Sequence, residues 1–228
     1  MADVQIAKHP RQVFRVSRSD PWAIRAPRGN NRFDICDPED GVMTLYTGES
    51  KEAALAEVLA PFRPDLKTIA EVELIPSDDN VSPASGVIPK HWLETRRMGI
   101  GIIRSKAVIV DITHPKTIQV LRNQSDLAQQ AITAEFVDID ESSLRSTGVN
   151  GRRFTQAVSA YIYNIGHAGI RYGSRLGERF HCIAGFVAIS VDSVAWSEFL
   201  EKVLPSERIL SDDTELRNVT NIFNLKLV

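Results

Sequence analysis

The sequence predicts an α+β fold in a single domain. Strand-like apolar runs and helix signals mix along the chain without the strict alternation of a doubly wound parallel sheet. No linker, internal repeat or low-complexity stretch divides it.

In order, residues 12–16 (Gln-Val-Phe-Arg-Val) read as a first strand. Residues 20–40 form a loop rich in Pro, Gly, Asn and Asp that carries Arg25, Arg28 and Arg32. A loop of this length in a small domain is a place to look for function. Residues 43–47 (Met-Thr-Leu-Tyr-Thr) form the next strand. Ser50 is a fit N-cap, and Glu52 suits the positive first turn of a helix that Pro61 and Pro64 end near Ala60. Residues 69–75 alternate apolar and acidic side chains as a half-buried strand does. Residues 107–112 are nearly all apolar and predict a buried central strand. Ser125 is expected to cap a helix running to about Phe136, and residues 154–165 form a second long helix. Residues 169–174 and 181–189 are strands, and Leu216, Val219 and Phe223 mark a short C-terminal helix. The expected core spans about 12–190, with an extended tail over 191–228.

Composition narrows the functions. With 228 residues and 43% hydrophobic content the chain can bury a full core. A net charge of −2 gives no general attraction to nucleic acid or anionic membranes, so neither is an expected partner. Two cysteines, Cys36 and Cys182, are too few for a disulfide scaffold or a cysteine-based zinc site. The histidines lack ligand spacing, so no metal is expected. Without an apolar leader or a membrane-spanning run, the cytoplasm is the expected location. No P-loop is present, and Gly-Ile-Gly at 99–101 lacks the continuation of a dinucleotide-binding turn. Arg152-Arg153 reads as a solvated or ion-paired couple, and His181-Cys182 as core rather than nucleophile.

Glu57 stands out. It sits in a strand-turn-helix unit just after Asn31-Arg32-Phe33-Asp34, on a helix face with Ala53, Ala56 and Ala60 as small neighbours. A lone glutamate on an amphipathic helix is usually solvated, but small neighbours leave room for a substrate beside the acid.

Arg32 in Asn-Arg-Phe-Asp, Glu57 in Ala-Leu-Ala-Glu-Val-Leu and Ser174 in Gly-Ile-Arg-Tyr-Gly-Ser-Arg come in order with further segments. These are Val-Phe-Arg15-Val, Thr-Leu-Tyr46-Thr, Phe62-Arg-Pro-Asp65, Ile88-Pro-Lys-His-Trp92, Asp138-Ile-Asp140, Arg153-Phe-Thr-Gln156 and Cys182-Ile-Ala-Gly-Phe186. In this series the chain resembles the RES domain family, small bacterial proteins that consume NAD and often serve as toxins of toxin–antitoxin pairs. The resemblance implies an ADP-ribosyltransferase-like fold, with mixed sheets flanked by helices and the NAD cleft between two small packed sheets. It also implies NAD as substrate and an antitoxin protein, or self-association into a homo-oligomer, as restraint.

The implied reaction breaks the nicotinamide–ribose bond, as an NAD glycohydrolase or phosphorylase does. Nicotinamide leaves as a neutral molecule and needs no acid, so one carboxylate suffices to stabilise the oxocarbenium-like ribose. Glu57 is that carboxylate, and Tyr46 would stack on the nicotinamide or ribose or donate its hydroxyl. Arg15 and Arg32 would take the pyrophosphate through bidentate hydrogen bonds. Ser174 would hold a ribose or phosphate oxygen. ADP-ribosylation of a protein target, or a non-catalytic nucleotide-binding module, are the competing readings; the second would have no need of Glu57. The acidic stretch Asp37-Pro-Glu-Asp40 between Arg32 and Tyr46 is expected near the cleft mouth, as a lid or a contact for a basic segment.

Overall fold

Strand β1 (Gln12–Ser17) and strand β2 (Val42–Gly48) lie side by side but share a single registered pair, Phe14 with Gly48. That sparse pairing organises the molecule. The computed structural model describes residues 3–18, 20–23, 31–35, 41–64, 86–188 and 195–228. The strand expected at 69–75, the acidic stretch at 37–40, and Arg25, Arg28 and Cys36 lie outside them.

On one side of the sparse pair, β2 is zipped antiparallel to β7 (His181–Ala188), from Val42 opposite Ala188 to Gly48 opposite Cys182. β7 pairs in turn with β6 (Gly169–Gly173), and β6 runs parallel to β5 (Ile109–Asp111). On the other side, β1 is antiparallel to β4 (Arg97–Ile103), which pairs with β8 (Leu200–Arg208). The result is a 7-stranded sheet of order β5-β6-β7-β2-β1-β4-β8. Its two wings meet at one corner and part beyond it. In place of the expected two separate sheets around a cleft, one hydrogen-bonded sheet is split along β1 and β2. Where a ladder would continue, the Arg15 guanidinium donates to the Tyr46 carbonyl at 3.2 Å.

Helix α1 (Lys51–Leu59) packs on β1 beside the split, and the helix expected near the C-terminus, Thr214–Phe223, packs on α1. Between them in sequence come β3 (Gly86–Ile88), α2 (Lys90–Glu94), α3 (Pro115–Arg122), α4 (Ser125–Thr133), α5 (Glu141–Arg145) and α6 (Val149–Asn164). Helix Thr214–Phe223 is α7, and the closing strand β9 (Leu225–Leu227) runs parallel to β3. The period-2 alternation of the strands splits the core between the two sheet faces. Cys182, Ala184 and Phe186 join Phe33, Phe154 and α1 on one, while Ile183, Val187, Leu45 and Trp22 fill the other.

Several expectations change here. The apolar run at 107–112 is an edge strand, not a central one; its free side is covered by the N-terminal segment, through Ala7 N to Ile109 O and Asp111 N to Gln5 O. That cover leaves Ile109, Val110 and Ile112 buried, while Val108 is exposed. Ser125 is the first helical residue of α4 and Gln124 the cap. Gly99 and Gly101 serve β4, because a Cβ on either would meet Trp22 at 2.9 Å. The tail is integral: β8 completes the sheet and α7 packs on α1.

Candidate active site

Glu57 is placed by the β2–α1 junction. The chain turns from strand to helix so tightly that a Cβ on Gly48 would lie 2.5 Å from Ala54 N, so only glycine fits. Ser50 Oγ then accepts from Ala53 N at 3.1 Å and starts the helix. Ala53 and Ala56 are fully buried, so their smallness brings α1 close to the sheet and does not open the space expected beside the acid. That space lies over Ala54, one turn before Glu57 on the same face. At the other end of the junction, Arg171 is forked onto Glu49 at 2.8 and 3.1 Å and reaches Asp111 at 3.1 Å.

Arg32 is placed by side chains far from it in sequence. Thr155 donates its hydroxyl to the Arg32 carbonyl, and Gln156 donates to the Asn31 carbonyl at 2.9 Å. Both come from α6. From β2, Thr44 donates to the Phe33 carbonyl at 3.0 Å, while the Tyr46 hydroxyl accepts from Phe33 N at 3.0 Å and donates to Asp34 Oδ1 at 2.9 Å. Asp34 closes the turn by accepting from Asn31 N at 3.0 Å. With its backbone fixed, the Arg32 guanidinium lies 4.7 Å from the Phe33 ring centre and 5.3 Å from that of Tyr172. Burial lowers its pKa, partly offset by Tyr172 and Glu57. Burial also lowers that of Arg15. Among the described residues, the Nε atoms of both arginines are buried without a hydrogen-bond partner.

Arg15, Arg32, Tyr46 and Glu57 face one cavity of about 480 Å³ opened by the split between β1 and β2. Ser174 is not on its wall. It is 1% exposed, and its hydroxyl donates to Glu57 Oε1 at 2.7 Å while accepting from Leu176 N at 3.1 Å. The only proton of that hydroxyl is committed to the carboxylate, so Ser174 orients Glu57 where direct contact with a ribose or phosphate was expected. The Tyr46 hydroxyl is likewise occupied by Phe33 and Asp34, leaving the ring for contact with a ligand. Burial, then Asp34, pushes its pKa well above the usual phenol range.

Cys182, Tyr172 and Arg152 are among the wall residues that went unrecognised in the sequence. Cys182 lies on the wall with Sγ 3.8 Å from Glu57 Oε1, and burial followed by the Glu57 charge pushes its pKa well up, so it stays a thiol. Tyr172 carries Arg32 on its ring and its hydroxyl stays protonated, through burial and then the neighbouring Cys182. Period-2 alternation with Ser174 is the signal that would have placed it on the same face. Arg152, expected to be solvated or ion-paired, also lines the cavity. Among the described residues no cluster of His, Cys, Asp and Glu could hold a metal ion, and no helix is long and apolar enough to cross a membrane.

No curated protein gives a significant match. Among solved structures, the crystal structure of the M. tuberculosis MbcT–MbcA toxin–antitoxin complex matches with 12% sequence identity and a TM-score of 0.44, over 96% of this chain and 90% of the other. The sequence profile of the RES domain matches residues 10–195, which include every segment that builds the cavity wall. The chain belongs to the RES domain family.

Proposed function

We propose that the protein is an enzyme that consumes NAD by breaking its nicotinamide–ribose bond. The observation that carries this is the pairing, in one cavity, of the Glu57 carboxylate with the buried guanidinia of Arg15 and Arg32, whose Nε donors are unused among the described residues. Desolvated, unspent guanidinium donors favour a ligand with phosphate-like oxygens. A volume of about 480 Å³ is in the usual range for a small-molecule site.

Glu57 Oε1 is held by Ser174, so Oε2 is left to face the ribose. As the C1′–N bond breaks, its electron pair leaves with nicotinamide, which becomes neutral, and positive charge grows on the ribose carbon and ring oxygen. A fixed carboxylate stabilises that charge without reorganising. Water, phosphate or a protein side chain then supplies the electron pair that closes the new bond at C1′. The rings of Phe33 and Tyr172 hold the Arg32 guanidinium in place for the pyrophosphate.

Incubating purified protein with NAD, with and without phosphate, and separating the products tests the reading and identifies the acceptor. Glu57→Gln should lower kcat by roughly a hundredfold or more while NAD binding persists. Arg32→Ala should mainly weaken NAD binding. Undiminished turnover in Glu57→Gln would refute the mechanism. Unrestrained NAD loss would harm the producing cell, so a separate protein or a second copy covering this cavity is the expected restraint. Expression of the chain alone, followed by growth and NAD level, tests that.

A further inference from the structure

A second cavity, of about 700 Å³, adjoins the first, and Thr147 and Arg175 line both. The rest of its wall comes from Phe136 just after α4, from α5 and from the segment that joins α5 to α6. We propose that this cavity is the subsite for the adenosine half of the dinucleotide, an inference that rests on the NAD reading above.

The groups on the joined walls correspond to the groups of NAD. Glu57 lines the first cavity alone, for the ribose carbon that loses nicotinamide. Arg15, Arg32 and Arg152 line it too, and Arg175 lines both cavities, for the pyrophosphate. In the second cavity alone are Phe136, Glu141, Ser142, Arg145, Ser146 and Gly148: one aromatic ring, two hydroxyls, and a guanidinium paired with a carboxylate. A purine offers a flat ring and its ribose offers hydroxyls, so this set is what an adenosine would meet.

Phe136 is held for that role. Helix α4 closes with Phe136 N bonded to Ala131 O and Glu135 N bonded to Ile132 O, both at 2.9 Å, with Glu135 in the left-handed region at φ 64°. The Phe136 ring then packs edge-on against buried Phe154, with centroids 5.5 Å apart, and remains half-buried on the cavity wall. Arg145 is steered by Glu141, whose Oε1 takes one terminal nitrogen at 2.7 Å, while its buried Nε has no partner among the described residues.

Nicotinamide mononucleotide carries the same scissile bond and lacks the adenylate half, so comparing it with NAD isolates the subsite. Phe136→Leu keeps the apolar contact with Phe154 and removes the flat face; Arg145→Gln provides a second variant if the first does not fold. The expected result is a KM for NAD raised roughly tenfold, with turnover of the mononucleotide unchanged. Calorimetry with ADP-ribose should show the same weakening without any turnover. Equal effects on both substrates, or none on NAD, would overturn the subsite. A wild-type protein that neither cleaves NAD nor binds ADP-ribose would remove the dinucleotide reading itself, and the two failures are thereby distinguishable.

Discussion

Replacing Ser174 by Ala asks whether that serine touches substrate or acts through Glu57. The Oγ–Oε1 distance of 2.7 Å marks a hydrogen bond to a charged acceptor, and Ser174 is 1% exposed. Such bonds contribute about 1.5–3 kcal/mol, and the alanine also leaves Leu176 N without its acceptor. Freed from this tether, the carboxylate loses a fixed position, which should cost roughly ten- to a hundredfold in kcat. KM for NAD should stay near the wild-type value, because Ser174 is not on the cavity wall. The assay is steady-state NAD cleavage, with thermal denaturation run beside it to separate folding losses from catalytic ones. A double-mutant cycle sharpens it. If Ser174 acts only by orienting Glu57, Ser174→Ala should cost little further in kcat once Glu57→Gln is present. Additive losses, or a raised KM with unchanged kcat, would refute the positioning role and return Ser174 to direct contact with the ligand.

Tyr46→Phe removes a hydroxyl that ties β2 to both Phe33 and Asp34, so stability should fall by about 1–3 kcal/mol and KM should rise several-fold through a loosened Arg32. A large kcat loss at unchanged KM would instead place the phenol in the chemistry. Cys182 should resist alkylation at pH 8 in a Cys36→Ser background, since burial and Glu57 keep it protonated; labelling as fast as a free thiol would contradict this. The same upward shift makes the folded state retain a proton that the unfolded chain releases, so its contribution to stability is present below the unfolded thiol pKa and is lost as pH rises above it. Tyr46 and Tyr172 act in the same direction further up, and Cys182→Ala should flatten the first part of the alkaline fall in Tm.

The parts of the fold that were legible in the sequence are those where local signals and burial agree. β1, β2, the Ser50 cap of α1, β6, β7 and helix Thr214–Phe223 all follow from alternation, capping and helical spacing. β8 was not legible because an edge strand is written in another idiom. Leu200–Arg208 carries Pro205 and a string of charges, which protect an open edge and erase the apolar pattern of a strand. β4 was read only as a failed nucleotide turn, because nothing local shows that Gly99 and Gly101 make room for a tryptophan from another segment. At the site, residue types were legible and their division of labour was not. A serine reads the same whether it faces a ligand or an acid, and only the direction of its one proton decides.

That division of labour explains why the recurring segments are scattered along the chain. Three charged groups of the cavity each have a neighbour elsewhere in sequence that fixes them: Ser174 for Glu57, Tyr172 for Arg32, the Tyr46 carbonyl for Arg15. The Asn31-Arg-Phe-Asp34 turn is held from opposite sides by β2 hydroxyls and by Thr155 and Gln156 of α6, although neither of those reaches the ligand space itself. Buried guanidinia with unused donors are costly to the fold, and such a cost persists only where the surroundings over-determine their placement. Glu57 and Ser174 are therefore best understood as a pair, one member facing the cavity and the other aiming it. Substituting Ser174 should change the rate without changing what is bound.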